Sequence, residues 1–164
     1  GASWWALAAF REFDEALLEL RHNEEEIGLI LLRTEGDVEA CLELDSVLAA
    51  NAGDWFVDEV RSFIARTLRR LDLTARSLYA LIEPGSCFTG TLLEIAMAAD
   101  RSYMLDGVFE GSNLPAATIR LTGMNFGQDG AVAQCVGCHT GHTLLTVPRT
   151  PARPCGPTSP RARS

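Results

Sequence analysis

The sequence predicts an α/β protein, a parallel sheet with helices packed on it, and three observations carry the prediction. Short apolar runs recur at residues 27–32 (IGLILL), 77–82 (SLYALI) and 101–105 (RSYML), the length and composition of buried strands. Helical patterns precede and separate them, so strand and helix alternate in the βαβ rhythm that yields parallel pairing. The segments leaving the first two strands carry Gly or Pro, and in such sheets ligands bind beyond the carboxyl ends of the strands.

Residues 6–21 read as an amphipathic helix. Leu7, Phe10, Phe13, Leu17 and Leu20 recur at spacings of three and four, with Arg11, Glu12, Asp14, Glu15 and Glu19 between them. The acid run Glu24-Glu25-Glu26 is a solvated edge, and residues 33–37 turn the chain out of the first strand. Residues 38–50 are mixed and are expected to form loop with one short helix. Asp54 is an N-cap for a helix over 55–71, with Phe56, Val60, Phe63, Ile64, Leu68 and Leu71 on one face. Arg61, Arg66, Arg69 and Arg70 load its latter part, where positive charge suits the helix dipole. After the strand at 77–82, Glu83-Pro84-Gly85-Ser86 breaks the chain, since Pro removes a donor and Gly admits unusual dihedrals. A helix is predicted from about Thr89 to Asp100, then a strand at 101–105, loop over 106–117, a further short strand at 118–121 and a turn over 122–127.

The helix after Gly90 is apolar almost all round, as expected of a helix buried on every side, and Glu94 alone interrupts it. A buried carboxylate costs several kcal/mol unless it is paired, hydrogen-bonded or protonated. Two readings follow from the residues alone. Glu94 is a catalytic acid at the carboxyl end of a strand, or it belongs to a core helix and escapes to solvent or an arginine.

The chain has 164 residues, one domain's worth, with 47% hydrophobic residues. Its formal charge of −8 argues against nucleic acid as a partner. No apolar run approaches the ~20 residues of a membrane span, so no membrane partner is expected. The five cysteines are odd in number and unevenly spaced, which fits reduced thiols and a cytoplasmic location. The first residues, Gly1-Ala2-Ser3-Trp4-Trp5, have no export pattern and read as a chain entered part-way.

From Gln128 the composition changes. Residues 128–164 hold five of the seven prolines and four arginines against one acid, a net +3, whereas residues 1–127 carry ten arginines and 21 acids, a net −11. We therefore divide the chain into a folded part, 1–127, and a Pro/Arg/Cys-containing tail, 128–164, expected to be disordered apart from a strand-like run over 143–147. The tail includes Cys135-Val136-Gly137-Cys138-His139, the spacing of a c-type haem attachment with His139 as axial ligand; Cys135, Cys138 and His142 offer a zinc variant. The competing reading is a chance pattern in a Cys-rich tail.

Gly90-Thr91-Leu92-Leu93-Glu94-Ile95-Ala96-Met97-Ala98-Ala99-Asp100 resembles the Gly-rich turn and helix of the crotonase (enoyl-CoA hydratase/isomerase) superfamily, with Glu94, Ala96 and Asp100 at its marked positions. Residues 32–37, 55–57, 67–72, 77–88, 99–105 and 124–127 are similar, more narrowly, to its benzoyl-CoA-dihydrodiol lyase branch. The resemblance spans about residues 4–127. It implies a partial crotonase-like core of ββα repeats and an acyl-CoA substrate, with no separate cofactor because CoA is part of the substrate. It further implies a homo-oligomeric parent enzyme of aerobic benzoate breakdown. That enzyme opens the ring of a dihydrodiol or epoxide of benzoyl-CoA with water and releases formate; general enoyl-CoA hydration or isomerisation is the alternative.

In the family, Glu94 is the general acid/base and two backbone N–H groups hold the thioester oxygen. By count from Glu94 one donor is Thr91, with Gly90 beside it. The other falls within residues 42–45, with Leu44 taken as its representative. Cys87 lies near the site and is expected to be a structural thiol. The second acid of hydratases is replaced by Gly123, so Glu110 in the preceding loop is the candidate second acid. The tail does not continue the resemblance and reads as an out-of-frame extension. An isolated chain of this extent is expected to be inactive.

Overall fold

The structure, a computed structural model, describes residues 4–109, 111, 113–126 and 144–148, the last five as backbone. Helix α1 (Trp5–His22) precedes strand β1 (Leu29–Leu32), and helices α2 (Val38–Ala50) and α3 (Trp55–Asp72) lead to β2 (Ser77–Ile82). A 3-10 turn (Gly90–Leu92) runs into the short α4 (Leu93–Met97), then β3 (Arg101–Asp106), a second 3-10 turn (Gly123–Phe126) and β4 (Leu144–Pro148). The four strands form one parallel sheet in the order β1-β2-β3-β4. Leu32 pairs with Ala80 and Ile82 with Met104. The α/β class is therefore observed, and the strand-like run expected over 143–147 corresponds to β4.

Two caps start the long helices. Asp54 accepts from the N–H groups of Phe56 and Val57, as its sequence predicts. Asp37 accepts from Glu39 N–H and starts α2, which is thirteen residues long rather than a short helix in loop. Its apolar residues are spread around the helix rather than gathered in one stripe, so periodicity alone does not reveal it. Cys41, Asp45 and Leu48 nevertheless lie at helical spacing on one buried face.

Helix α1 packs on α3 through Phe10, Leu17, Ile64 and Leu68 in one core, and Asp14 pairs with Arg70 at 2.9 Å. Arg76 fixes the entry to β2. Its Nε donates to Ile27 O at 2.7 Å and its guanidinium to Glu24 O at 2.6 Å, which aligns β2 beside β1. Strand β2 alternates: Leu78, Ala80 and Ile82 enter the core, while Tyr79 meets Tyr103 of β3 on the other face, ring centres 5.6 Å apart.

Three expectations change. The first strand is covered on one face only among the described residues, since Leu29 and Leu31 are 46% and 53% exposed. The predicted helix over 89–100 is a 3-10 turn plus five α-helical residues, because Gly90 adopts φ +51 and the chain unwinds after Met97 to enter β3. The strand expected at 118–121 is a single parallel bridge, Thr89 to Arg120. It carries two backbone bonds: Gly90 N–H to Arg120 O at 3.0 Å and Arg120 N–H to Phe88 O at 3.4 Å.

Candidate active site

The chain leaves β2 at Ile82 and reaches Gly90 through a turn at Glu83-Pro84-Gly85-Ser86, closed by Ser86 N–H to Glu83 O at 2.9 Å. Gly90 has positive φ, and a Cβ there would collide with Asp45 Oδ2. Glycine thus serves two needs at once, the left-handed turn and the close approach of a carboxylate. The bend delivers Thr91, Leu93, Glu94, Ile95 and Ala96 into the core, all buried.

Glu94 is 1% exposed. The structure decides against its escape to solvent or an arginine. Its Oε1 accepts from Asn125 Nδ2 at 2.6 Å, while Oε2 is buried with no hydrogen-bond partner among the described residues. Asn125 is locked in orientation: the same Nδ2 donates to Gly90 O at 2.8 Å, and its Oδ1 accepts from Thr122 N–H at 2.9 Å. Burial pushes the Glu94 carboxyl above the ordinary carboxylate range; the Asn125 bond pulls it down, and the charge of Asp45 pushes it further up.

Asp45 is the residue that sequence reasoning missed. It is 4% exposed and projects from α2 onto the Gly90 turn. Its carboxylate accepts from Thr91 N–H at 3.1 Å, Thr91 Oγ1 at 2.6 Å and Thr122 Oγ1 at 2.8 Å. Burial raises its pKa, and the Thr91 and Thr122 bonds oppose the rise. Two buried acids therefore share one corner, linked by a path through Thr122, which donates to Asp45, and Asn125, which accepts from Thr122 N–H and donates to Glu94. The signal for Asp45 was its place between Cys41 and Leu48 on one face of α2, visible once residues 38–50 are read as a continuous helix. The signal for Asn125 was only its inclusion in the stretch 124–127.

The structure distributes the other expected residues unevenly. Thr91 N–H donates to a carboxyl oxygen, that of Asp45. Gly90 N–H is taken by Arg120 O. Leu44 lies in the interior of α2, where its N–H belongs to the helix ladder, so it is not an open oxyanion donor; its side chain lines the neighbouring cleft. Cys87 is buried and lines the same cleft. Glu110 lies outside the described residues, as do Cys135, Cys138, His139 and His142. Asp100 acts within the fold: its Oδ2 accepts from Leu78 N–H at 2.8 Å and ties the end of the Glu94 segment to β2. Among the described residues no cluster of three His, Cys, Asp or Glu could hold a metal.

A cleft of about 730 Å³ opens beside this corner. Residues 33–37 from the carboxyl end of β1, Cys87, and Leu92 and Ile95 from the Glu94 segment line it, with Trp4 and Trp5 at one side. It thus lies beyond the strands' carboxyl ends, where such sheets hold ligands. Glu94 faces away from this lining, toward Asn125.

Paired buried acids behind a glycine turn, next to a cleft at the strand ends, define a candidate acid–base centre. No family model matches the chain. It is, however, 54% identical over 127 residues to the benzoyl-CoA-dihydrodiol lyase of Aromatoleum evansii, a match covering 77% of this chain and 22% of that protein. Over those residues the chain is closely similar to that benzoyl-CoA-dihydrodiol lyase. It spans about a fifth of its relative's length. Among the described residues, no helix is long and apolar enough to cross a membrane.

Proposed function

We propose that this chain carries the acid-bearing corner of a crotonase-type site, and that the site opens the ring of a benzoyl-CoA dihydrodiol or epoxide with water and releases formate. The observation that carries the reading is Glu94, a buried carboxyl whose pKa is raised by its surroundings and which has one oxygen unpartnered. A carboxyl raised in this way keeps its proton to higher pH than an exposed one, which suits it to exchange that proton with substrate. Asn125 holds Glu94 in one rotamer. Thr91 N–H is aimed at a carboxyl oxygen of Asp45, and a buried N–H so placed is the kind of donor a thioester carbonyl needs as it gains charge. For the thioester to use that donor, the Asp45 carboxyl has to give way, and Asp45, the other buried acid of the corner, takes the place of Glu110 as second acid. The substrate is an acyl-CoA, the location cytoplasmic and the working assembly a homo-oligomer, as the family resemblance implies.

The experiment is a graft. The 127 matched residues of this chain replace their counterpart in the Aromatoleum evansii relative, and formate is measured with the dihydrodiol and epoxide thioesters. Activity is expected in the graft, with a loss of about 10²–10⁴-fold in Glu94→Gln, the range for a general acid/base. A folded graft without turnover, or an undiminished Glu94→Gln variant, overturns the proposal. Turnover of crotonyl-CoA in its place would favour ordinary hydration.

A further inference from the structure

Two side chains in the cleft take no part in the Glu94 corner. Cys41 projects from α2 and Cys87 from the loop after β2; both are free thiols, 9% and 4% exposed, and both line the cleft. Though 46 positions apart in the chain, they meet at the same wall of the cleft, close enough for each thiol to act electrostatically on the other. The surrounding backbone fixes this meeting. Cys87 N–H donates to Thr34 Oγ1 at 3.1 Å, and Cys41 N–H donates to Asp37 O at 3.3 Å in the first turn of α2. Gly36 closes over the pair: a Cβ there would stand 3.4 Å from Cys87 Sγ, in ordinary contact, but φ +156 at that position disfavours a side chain.

We propose that Cys41 and Cys87 are a dithiol–disulfide site, reached from the cleft by a small oxidant such as a peroxide or a low-molecular-weight disulfide. With hydrogen peroxide, one thiolate attacks an oxygen and becomes a sulfenic acid as the first water leaves. The second thiol then attacks that sulfur, the S–S bond forms and a second water leaves. The two thiols lose two protons and two electrons, and the peroxide is reduced by two electrons. The bond would join α2 to the loop after β2 across one wall of the cleft. Burial first, then Cys87 and the acids Asp45 and Asp37, push the Cys41 thiol up to about 11, so the resting pair is protonated at Cys41 and oxidation accelerates as pH rises.

The test uses the full chain with Cys135, Cys138 and Cys155 replaced by Ser, so that no other thiol competes. The protein is treated with hydrogen peroxide at pH 7 and pH 9, free thiols are alkylated, and peptides are mapped by mass. A Cys41–Cys87 linked peptide is expected, reversed by dithiothreitol, absent in Cys41→Ser and in Cys87→Ser, and formed at least about tenfold faster in the folded chain than in urea, as proximity requires. Single oxidation of each cysteine without the link overturns the proposal. So does equal linkage in folded and urea-unfolded protein, or a pair that stays alkylatable throughout. The outcome is independent of the lyase reading, because no substrate enters the assay.

Discussion

At the scale of single residues, the corner is governed by how few ways it can satisfy its own charge. Asp45 has three donors aimed at two oxygens. In Asp45→Ala the Thr91 N–H and the two Thr hydroxyls lose their shared partner. A buried loss of that kind costs about 1–3 kcal/mol, which urea unfolding should register as a lower midpoint at unchanged slope. Gly90→Ala meets two penalties: a positive φ, and a Cβ driven into Asp45. A loss of about 2 kcal/mol or more is expected from strain and steric conflict together, and Asp45→Gly in the same chain should recover part of it by removing the obstacle. If Gly90→Ala is as stable as the parent, the close approach of Asp45 is not real.

At the scale of elements, the decisive devices are caps and ties. Asp54 receives two N–H groups at the start of α3, so Asp54→Ala should cost about 1 kcal/mol, the usual worth of an N-cap; Asp54→Ser should restore most of it in the same unfolding experiment. Asp100 links the end of the Glu94 segment to β2, and Asn125 links the Gly90 turn to the 3-10 turn over Gly123–Phe126. The Glu94 segment is too short to be stable alone. Its position comes from these ties and from the buried side chains of Leu93, Ile95 and Ala96. Strand β2 was legible from the sequence at its observed bounds, since its ends are marked by a polar entry and by Glu83-Pro84. Helix α2 was not legible, because its many apolar residues lie on more than one side of the helix and blur its period; one of its acids, Asp45, points inward for reasons that lie on a different element.

At the scale of the whole molecule, the two raised carboxyls make stability depend on pH. The folded chain holds protons on Glu94 and Asp45 that the unfolded chain releases at ordinary carboxylate values, about pH 4. Above that pH the unfolded state binds fewer protons, so stability falls as pH rises. The stability associated with these groups is fully present below the unfolded value and is lost as pH climbs through the raised folded values. Thermal unfolding should therefore show Tm decreasing as pH rises above the ordinary carboxylate value of about 4. Glu94→Gln removes one charge while keeping the Asn125 bond, and should raise Tm at pH 8 by the equivalent of about 1 kcal/mol, with the gain shrinking toward pH 4. A gain of the same size at both ends of that range would mean that proton linkage at Glu94 is not its cause.

The sequence by itself determined the α/β class, the main helices, β2, β3 and the place of Glu94 behind a glycine turn. Each of these is written in local periodicity, in turn residues or in a single charge within an apolar run. Only the tertiary structure decided what faces Glu94. Asp45, Thr91, Thr122 and Asn125 come from three separate stretches, and Cys41 meets Cys87 across 46 positions. Partners of this kind are chosen by how α2 and the segment after Arg120 pack on the Gly90 turn. No local pattern encodes that packing, because its energy comes from contacts between residues that are neighbours only once the chain has folded.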